Sequence, residues 1–124
     1  MVPFLLIGIG GFFGAIARYT VDNRLTAWTG GALPWGTFAI NMSGSFAAGL
    51  LFALLVERTS LPADLRGPVL VGFLGSYTTF STWTLENWRM IDDGAWLSAA
   101  LNLGGSMVIG VAAIMAGVAI GRAL

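Results

Sequence analysis

Four long uncharged runs divide the chain: Met1–Ala17, Leu25–Val56, Gly67–Leu85 and Gly94–Gly121. Each holds roughly the 20 residues that a helix needs to cross the hydrocarbon core of a bilayer. The pattern predicts an all-α membrane protein of four transmembrane helices, at about 2–19, 33–56, 67–90 and 95–121. Polar loops are expected at 20–31, 59–66 and 89–94, the first closed by Gly30-Gly31 and the second broken by Pro62. Four spans leave almost nothing for a soluble domain, so residues 1–124 are read as one domain with both termini on the same side.

Small and polar residues recur in stripes along these runs. In the first, Gly10-x-x-x-Gly14 sets two glycines on one face, where a neighbouring backbone can approach closely. A dinucleotide-binding reading fails, because the third glycine after Gly8-Ile9-Gly10 should fall at Phe13. In the second, Thr37, Asn41, Ser45 and Gly49 return every four residues, with Gly44 and Ala48 alongside. Packing accounts for the small members. Asn41, with two amide hydrogens and an acceptor, fits either a bond between helices or a ligand contact. The fourth run repeats the theme through Ser98, Asn102, Ser106, Gly110, Gly117 and Gly121.

The third run differs from the rest. Its centre is glycine, hydroxyl and aromatic, with Ser76, Tyr77, Thr78, Thr79, Ser81, Thr82 and Thr84 close together. Hydrocarbon cannot satisfy loosened backbone or hydroxyl groups, so such a segment must face protein or water. A break near Gly75–Thr78 is expected, giving two half-helices. The C-terminal end of the first would offer carbonyl oxygens to a cation, and the N-terminal end of the second would offer N–H groups to an anion. Phe80, Trp83 and Asn87 follow at i, i+3 and i+7, a spacing that usually marks a core, and it is the density of neighbouring hydroxyls that favours a lined path. Glu86 is read as interfacial or paired with Arg89. Arg18, at the end of the first span, is read as a snorkelling anchor or as a positive charge at the mouth of an anion path.

Composition narrows the chemistry. The 124 residues are 56% hydrophobic and 10% charged, against about 25% charged in soluble domains. Cysteine and histidine are absent, which removes disulfides, thiolate nucleophiles, most zinc sites and the Ser-His-Asp triad. Net charge is zero with no basic run, so nucleic acid is not a partner. Ala15-Ile16-Ala17 resembles a signal-peptidase site, but no positive n-region precedes it. Arg58, Arg66 and Arg122 fall on one side of the expected topology and Arg18, Arg24 and Arg89 on the other, with no lysine. Orientation follows the Lys/Arg bias, and this chain has none, so both orientations are expected.

Five pieces in order resemble the Fluc (CrcB) family of fluoride channels along nearly the whole chain. They are Gly10-Gly11-x-x-Gly14-x-x-x-Arg18-Tyr19, Gly36-Thr37-x-x-x-Asn41-x-x-Gly44, Gly72-Phe73-x-Gly75 running into Thr78-Thr79-Phe80-Ser81-Thr82, then Glu86, and Asn102-x-x-x-Ser106. The resemblance implies a passive channel rather than an enzyme, in the cell membrane, that lets fluoride leave the cell. It implies an antiparallel, dual-topology homodimer, or in some members a heterodimer with a paralogous subunit. A structural sodium ion (Na+) at the dimer interface would be held by the backbone carbonyls of Gly75 and Thr78. The anion pathway would use Asn41, Phe80, Ser81, Thr82, Trp83 and Ser106, with Arg18 in the vestibule and Glu86 near the path as a possible gate. Trp83 stands where the family usually has phenylalanine. Two other readings compete. A small dual-topology drug/proton exchanger needs an acid deep in the membrane, and the first span has none before Asp22. A non-conducting assembly subunit explains the glycine stripes but leaves the hydroxyl-rich third run without a purpose.

Overall fold

A computed structural model describes residues 2–59 and 62–124, all of them helical apart from short connections. The first helix, α1, runs Val2–Thr29 and is the first departure from expectation, because the predicted loop at 20–31 is helical almost throughout. Its polar residues need not leave the helix. Thr20 donates to the Ile16 carbonyl at 2.9 Å and Thr29 to the Leu25 carbonyl at 2.7 Å, so both hydroxyls are satisfied within α1. What stops the helix is glycine: Gly30 and Gly31 take φ of 76° and 71°, a region that side chains disfavour.

The second helix, α2, spans Trp35–Glu57 after Pro34, as expected. Its last turns, Ala53–Glu57, widen into π-helix. Pro62 is extended (φ −56°, ψ 147°) and ends the loop four residues earlier than the predicted start at Gly67. Ser60 and Leu61, in the predicted loop, lie outside the described residues. Helix α3 then covers 63–77, as α-helix in Ala63–Gly67, π-helix in Pro68–Leu74 and α-helix again in Gly75–Tyr77. Residues 78–80 are not helical, and α4 follows at Ser81–Asp92. The acidic loop expected at 89–94 shrinks to a turn at Gly94 (φ 78°), because α4 continues through Asp92. The last helix, α5, is Trp96–Ala123. Three helices, α1, α2 and α5, are each long and apolar enough to cross a membrane. The expected third span is divided between α3 and α4.

Backbones touch where glycines allow it. A Cβ at Gly10 would strike the Pro68 carbonyl, one at Gly14 the Phe73 carbonyl, and one at Gly72 the Ile7 carbonyl, so α1 lies directly on the π-helical part of α3. Gly49 meets the Ile114 backbone and Gly117 the Phe46 backbone, closing α2 on α5 in the same way. Lipid tails are as apolar as leucine, so burial gives helices in a membrane little reason to associate. Close van der Waals packing through small residues replaces it. The far end of this pair is tied by Arg122 to Glu57 at 2.6 Å and by Arg58 to the Gly121 carbonyl at 3.3 Å. Outward faces are apolar, with Phe4, Phe12, Val108, Val111 and Met115 exposed. Such a surface suits lipid.

Candidate functional site

The break at 78–80 is held by one face of α2. Gly36 leaves no space for a Cβ beside Asp22, and Gly44 leaves none beside Thr78 and Tyr77. Between them, Thr37 donates to Glu86 Oε1 at 2.7 Å, and Asn41 reaches Thr79. Thr37, Asn41 and Gly44 of the stripe predicted on α2 therefore point at the third run, whereas Ser45 and Gly49 face α5.

Asn41 bonds twice to one residue. Its Nδ2 donates to the Thr79 carbonyl at 3.0 Å, and its Oδ1 accepts from the Thr79 N–H at 2.9 Å. Of the two roles left open for it, a bond between helices is the one formed here, with one amide hydrogen over. The break falls at the late end of the expected Gly75–Thr78 window. Gly75 is helical (φ −63°, ψ −31°), and the chain turns extended only at Thr78 (φ −77°, ψ 156°). A single glycine costs a helix only about 1 kcal/mol, too little to break it. The paired hydrogen bonds at Thr79 are the stronger local influence. Thr78 completes α3, its N–H and hydroxyl both donating to the Leu74 carbonyl at 3.0 and 2.9 Å. Thr79 Oγ1 accepts from the Thr82 N–H at 3.3 Å and donates to Thr82 Oγ1 at 3.1 Å, which caps the start of α4.

A second polar chain joins α5 to α4. Ser106 donates to Asn102 at 3.3 Å, Asn102 to Asn87 at 3.1 Å, and Asn87 to the Trp83 carbonyl at 2.7 Å. Asn87 is buried, with both its amide nitrogen and its amide oxygen bonded. Glu86 bonds Thr37 on α2, and the pairing expected with Arg89 does not form, since Thr37 lies beneath the carboxylate and Arg89 faces outward. Two buried atoms have no partner among the described residues: Glu86 Oε2 and Trp83 Nε1.

An open groove of about 580 Å³ brings together Asn41, Gly75, Thr78, Thr79, Phe80, Trp83 and Ser106. Phe80 is 74% exposed although its ring lies 5.5 Å from that of buried Trp83, tilted by 45°. Ser81 and Thr82 begin α4 just beyond the groove lining, Ser81 exposed and Thr82 half-buried. Glu86 stands one turn past Thr82 and does not line the groove. Arg18 is half-buried in mid-helix, not at a helix end, because α1 continues for three further turns. It makes no hydrogen bond among the described residues. The sequence pattern singled out Thr37, Thr79, Glu86 and Asn87 but did not pair Thr37 with Glu86, Asn41 with Thr79 or Asn87 with Asn102. Their signal was available in the sequence: amides and hydroxyls on neighbouring spans, each requiring a partner that lipid cannot supply.

Residues 5–118 match the family described as CrcB-like protein, Camphor Resistance (CrcB). Among curated proteins, the fluoride-specific ion channel FluC of Magnetococcus marinus is 45% identical over 116 residues, 94% of each chain. The protein of the same name from Hydrogenovibrio crunogenus is 37% identical over 98% of this chain and 92% of its own. That from Methylococcus capsulatus is 47% identical over 95% of this chain, which spans 52% of that relative's length. With apolar helices long enough to cross a bilayer and a match over nearly its whole length, the chain is a multi-pass membrane protein and belongs to the CrcB family.

Proposed function

We infer that this protein is a fluoride-selective channel that lets the ion leave the cell down its gradient, making and breaking no covalent bond. The observation that carries this is the near-full-length similarity to relatives named fluoride-specific ion channels. The chemistry of the groove agrees with it. Taking a small, tightly hydrated anion out of water costs tens of kcal/mol on a Born estimate unless donors replace the water. They must do so without trapping the ion. Asn41 retains one amide hydrogen, and Thr82 accepts from Thr79, which leaves its own hydroxyl hydrogen for an anion. Ser81 adds a second hydroxyl, exposed Phe80 carries a ring edge of positive character, and Ser106 can release Asn102 across a long 3.3 Å bond. Arg18 serves as a vestibule charge that raises local anion concentration, and Glu86, held by Thr37, flanks the path.

In this reading two copies pack antiparallel, each covering the other's groove and the exposed Phe80, and α3 with α4 forms the third span. The residues present fit a monovalent cation at that interface. Gly75 has open space where a Cβ would stand, Thr78 is extended beside it, and no cluster of acidic side chains lies among the described residues. Sodium suits neutral carbonyl oxygens better than calcium or zinc does. Bound between the Gly75 and Thr78 carbonyls, it would supply positive potential without touching the anion.

Liposomes carrying the purified protein should release fluoride and retain chloride. Equal chloride flux, or none of either ion, overturns the function. Dual topology has its own test. A single cysteine at exposed Thr59 in this cysteine-free chain should label from both sides of the cell membrane. Labelling from one side only would exclude the homodimer and point to a partner chain of opposite orientation.

A further inference from the structure

An α-helix satisfies each carbonyl with the N–H four residues on. A continuous helix through the break would therefore give the Thr79 N–H to Gly75 and the Thr82 N–H to Thr78. Both amides are engaged elsewhere. The Thr79 N–H donates to Asn41 Oδ1 at 2.9 Å, and the Thr82 N–H donates to Thr79 Oγ1 at 3.3 Å. Helical bonding is intact on either side, with Thr78 N–H on Leu74 at 3.0 Å and Thr84 N–H on Phe80 at 2.9 Å.

We propose that Asn41 and Thr79 are positioning residues that keep the Gly75 and Thr78 carbonyls available by occupying the two amide hydrogens that would otherwise reclaim them. This rests on the cation reading above and adds the side chains that make the cation's ligands. The break is then not simply a loss of hydrogen bonds, because two of the missing ones are replaced by side chains from defined places. Asn41 holds Thr79 from both directions, through N–H and carbonyl, so rewinding the helix would break two hydrogen bonds at once. Gly75, with no atom within 4 Å of where a Cβ would be, leaves its side of the groove open to a ligand.

The experiment is thermal unfolding of the purified protein in detergent, in sodium and in N-methylglucamine, a cation too bulky for a carbonyl site. The parent should melt higher in sodium. Asn41→Leu and Thr79→Val remove the two acceptors and should lose that sodium-dependent rise. Asn41→Asp and Thr79→Ser keep an oxygen for the same amide and should retain it. A role limited to packing α2 against the break predicts something else: lower melting in both solutions with the rise intact. That result in Asn41→Leu and Thr79→Val overturns the proposal. A parent that melts identically in both solutions overturns the cation reading itself, a separate outcome. Should the variants not fold, amide exchange in the parent decides. The Thr79 and Thr82 amides should be protected even without sodium, since their partners are side chains, and rapid exchange there overturns the proposal.

Discussion

Phe80→Leu should cut fluoride efflux by roughly ten- to a hundredfold in a protein that still elutes as the parent does on size exclusion. The ring is largely exposed in the single chain and rests on Trp83, so removing it should disturb folding little. What leucine lacks is the electropositive rim. An interaction with a desolvated charged group is worth about 1.5–3 kcal/mol, and the upper end corresponds to roughly a hundredfold in rate at a limiting step. Methionine, polarizable and of similar reach, should restore part of the flux. Trp83→Phe should be tolerated, because the indole N–H has no partner to lose. Parent-like flux in Phe80→Leu would remove the ring from the pathway.

Gly14→Val should prevent the protein from assembling, whereas Gly8→Ala should make it slightly more stable. A Cβ at Gly14 would fall on the carbonyl, carbonyl carbon and Cα of Phe73. Overpacking against side chains costs about 1–3 kcal/mol, and more where backbone must give way. At Gly8 nothing stands within 4 Å, so alanine there should recover the roughly 0.5–1 kcal/mol that glycine costs a helix. Expression, size-exclusion profile and melting temperature check both. A monodisperse Gly14→Val with parent melting would mean that α1 does not lie on α3 in this way.

These two glycines also mark what the sequence could tell. The Gly10-x-x-x-Gly14 spacing identified the close-packing face, but Gly8 looks the same in a count of glycines and touches nothing. The stripe on α2 and the broken third run were legible because uncharged runs, hydroxyl density and four-residue spacing are local properties. The end of α1 was not, because Thr20 and Thr29 fold their hydroxyls back onto their own helix, and polarity alone does not reveal that. Where within Gly75–Thr78 the break would fall was not legible, for a different reason. It depends on Asn41 reaching Thr79 from another helix, a contact between residues far apart in sequence. Nor did spacing separate the two uses of Asn87, whose carbonyl and amide tie Asn102 to the Trp83 backbone.

The π-helical turns of Pro68–Leu74 bear on chain length rather than on residue type. A π turn holds one residue more per hydrogen-bonded loop than an α turn. Deleting one residue there would let the stretch rewind as α-helix with later positions near their present angles, because the π turn already holds the extra residue. The regular α turn Gly75–Tyr77 that follows has no such slack, and losing one residue there would rotate every later position by about 100° around the axis, the angle between successive residues of an α-helix. Thr79 would turn away from Asn41, and Thr82 with it. A substitution in this α turn changes one contact, while a one-residue gap would misalign the whole break at once.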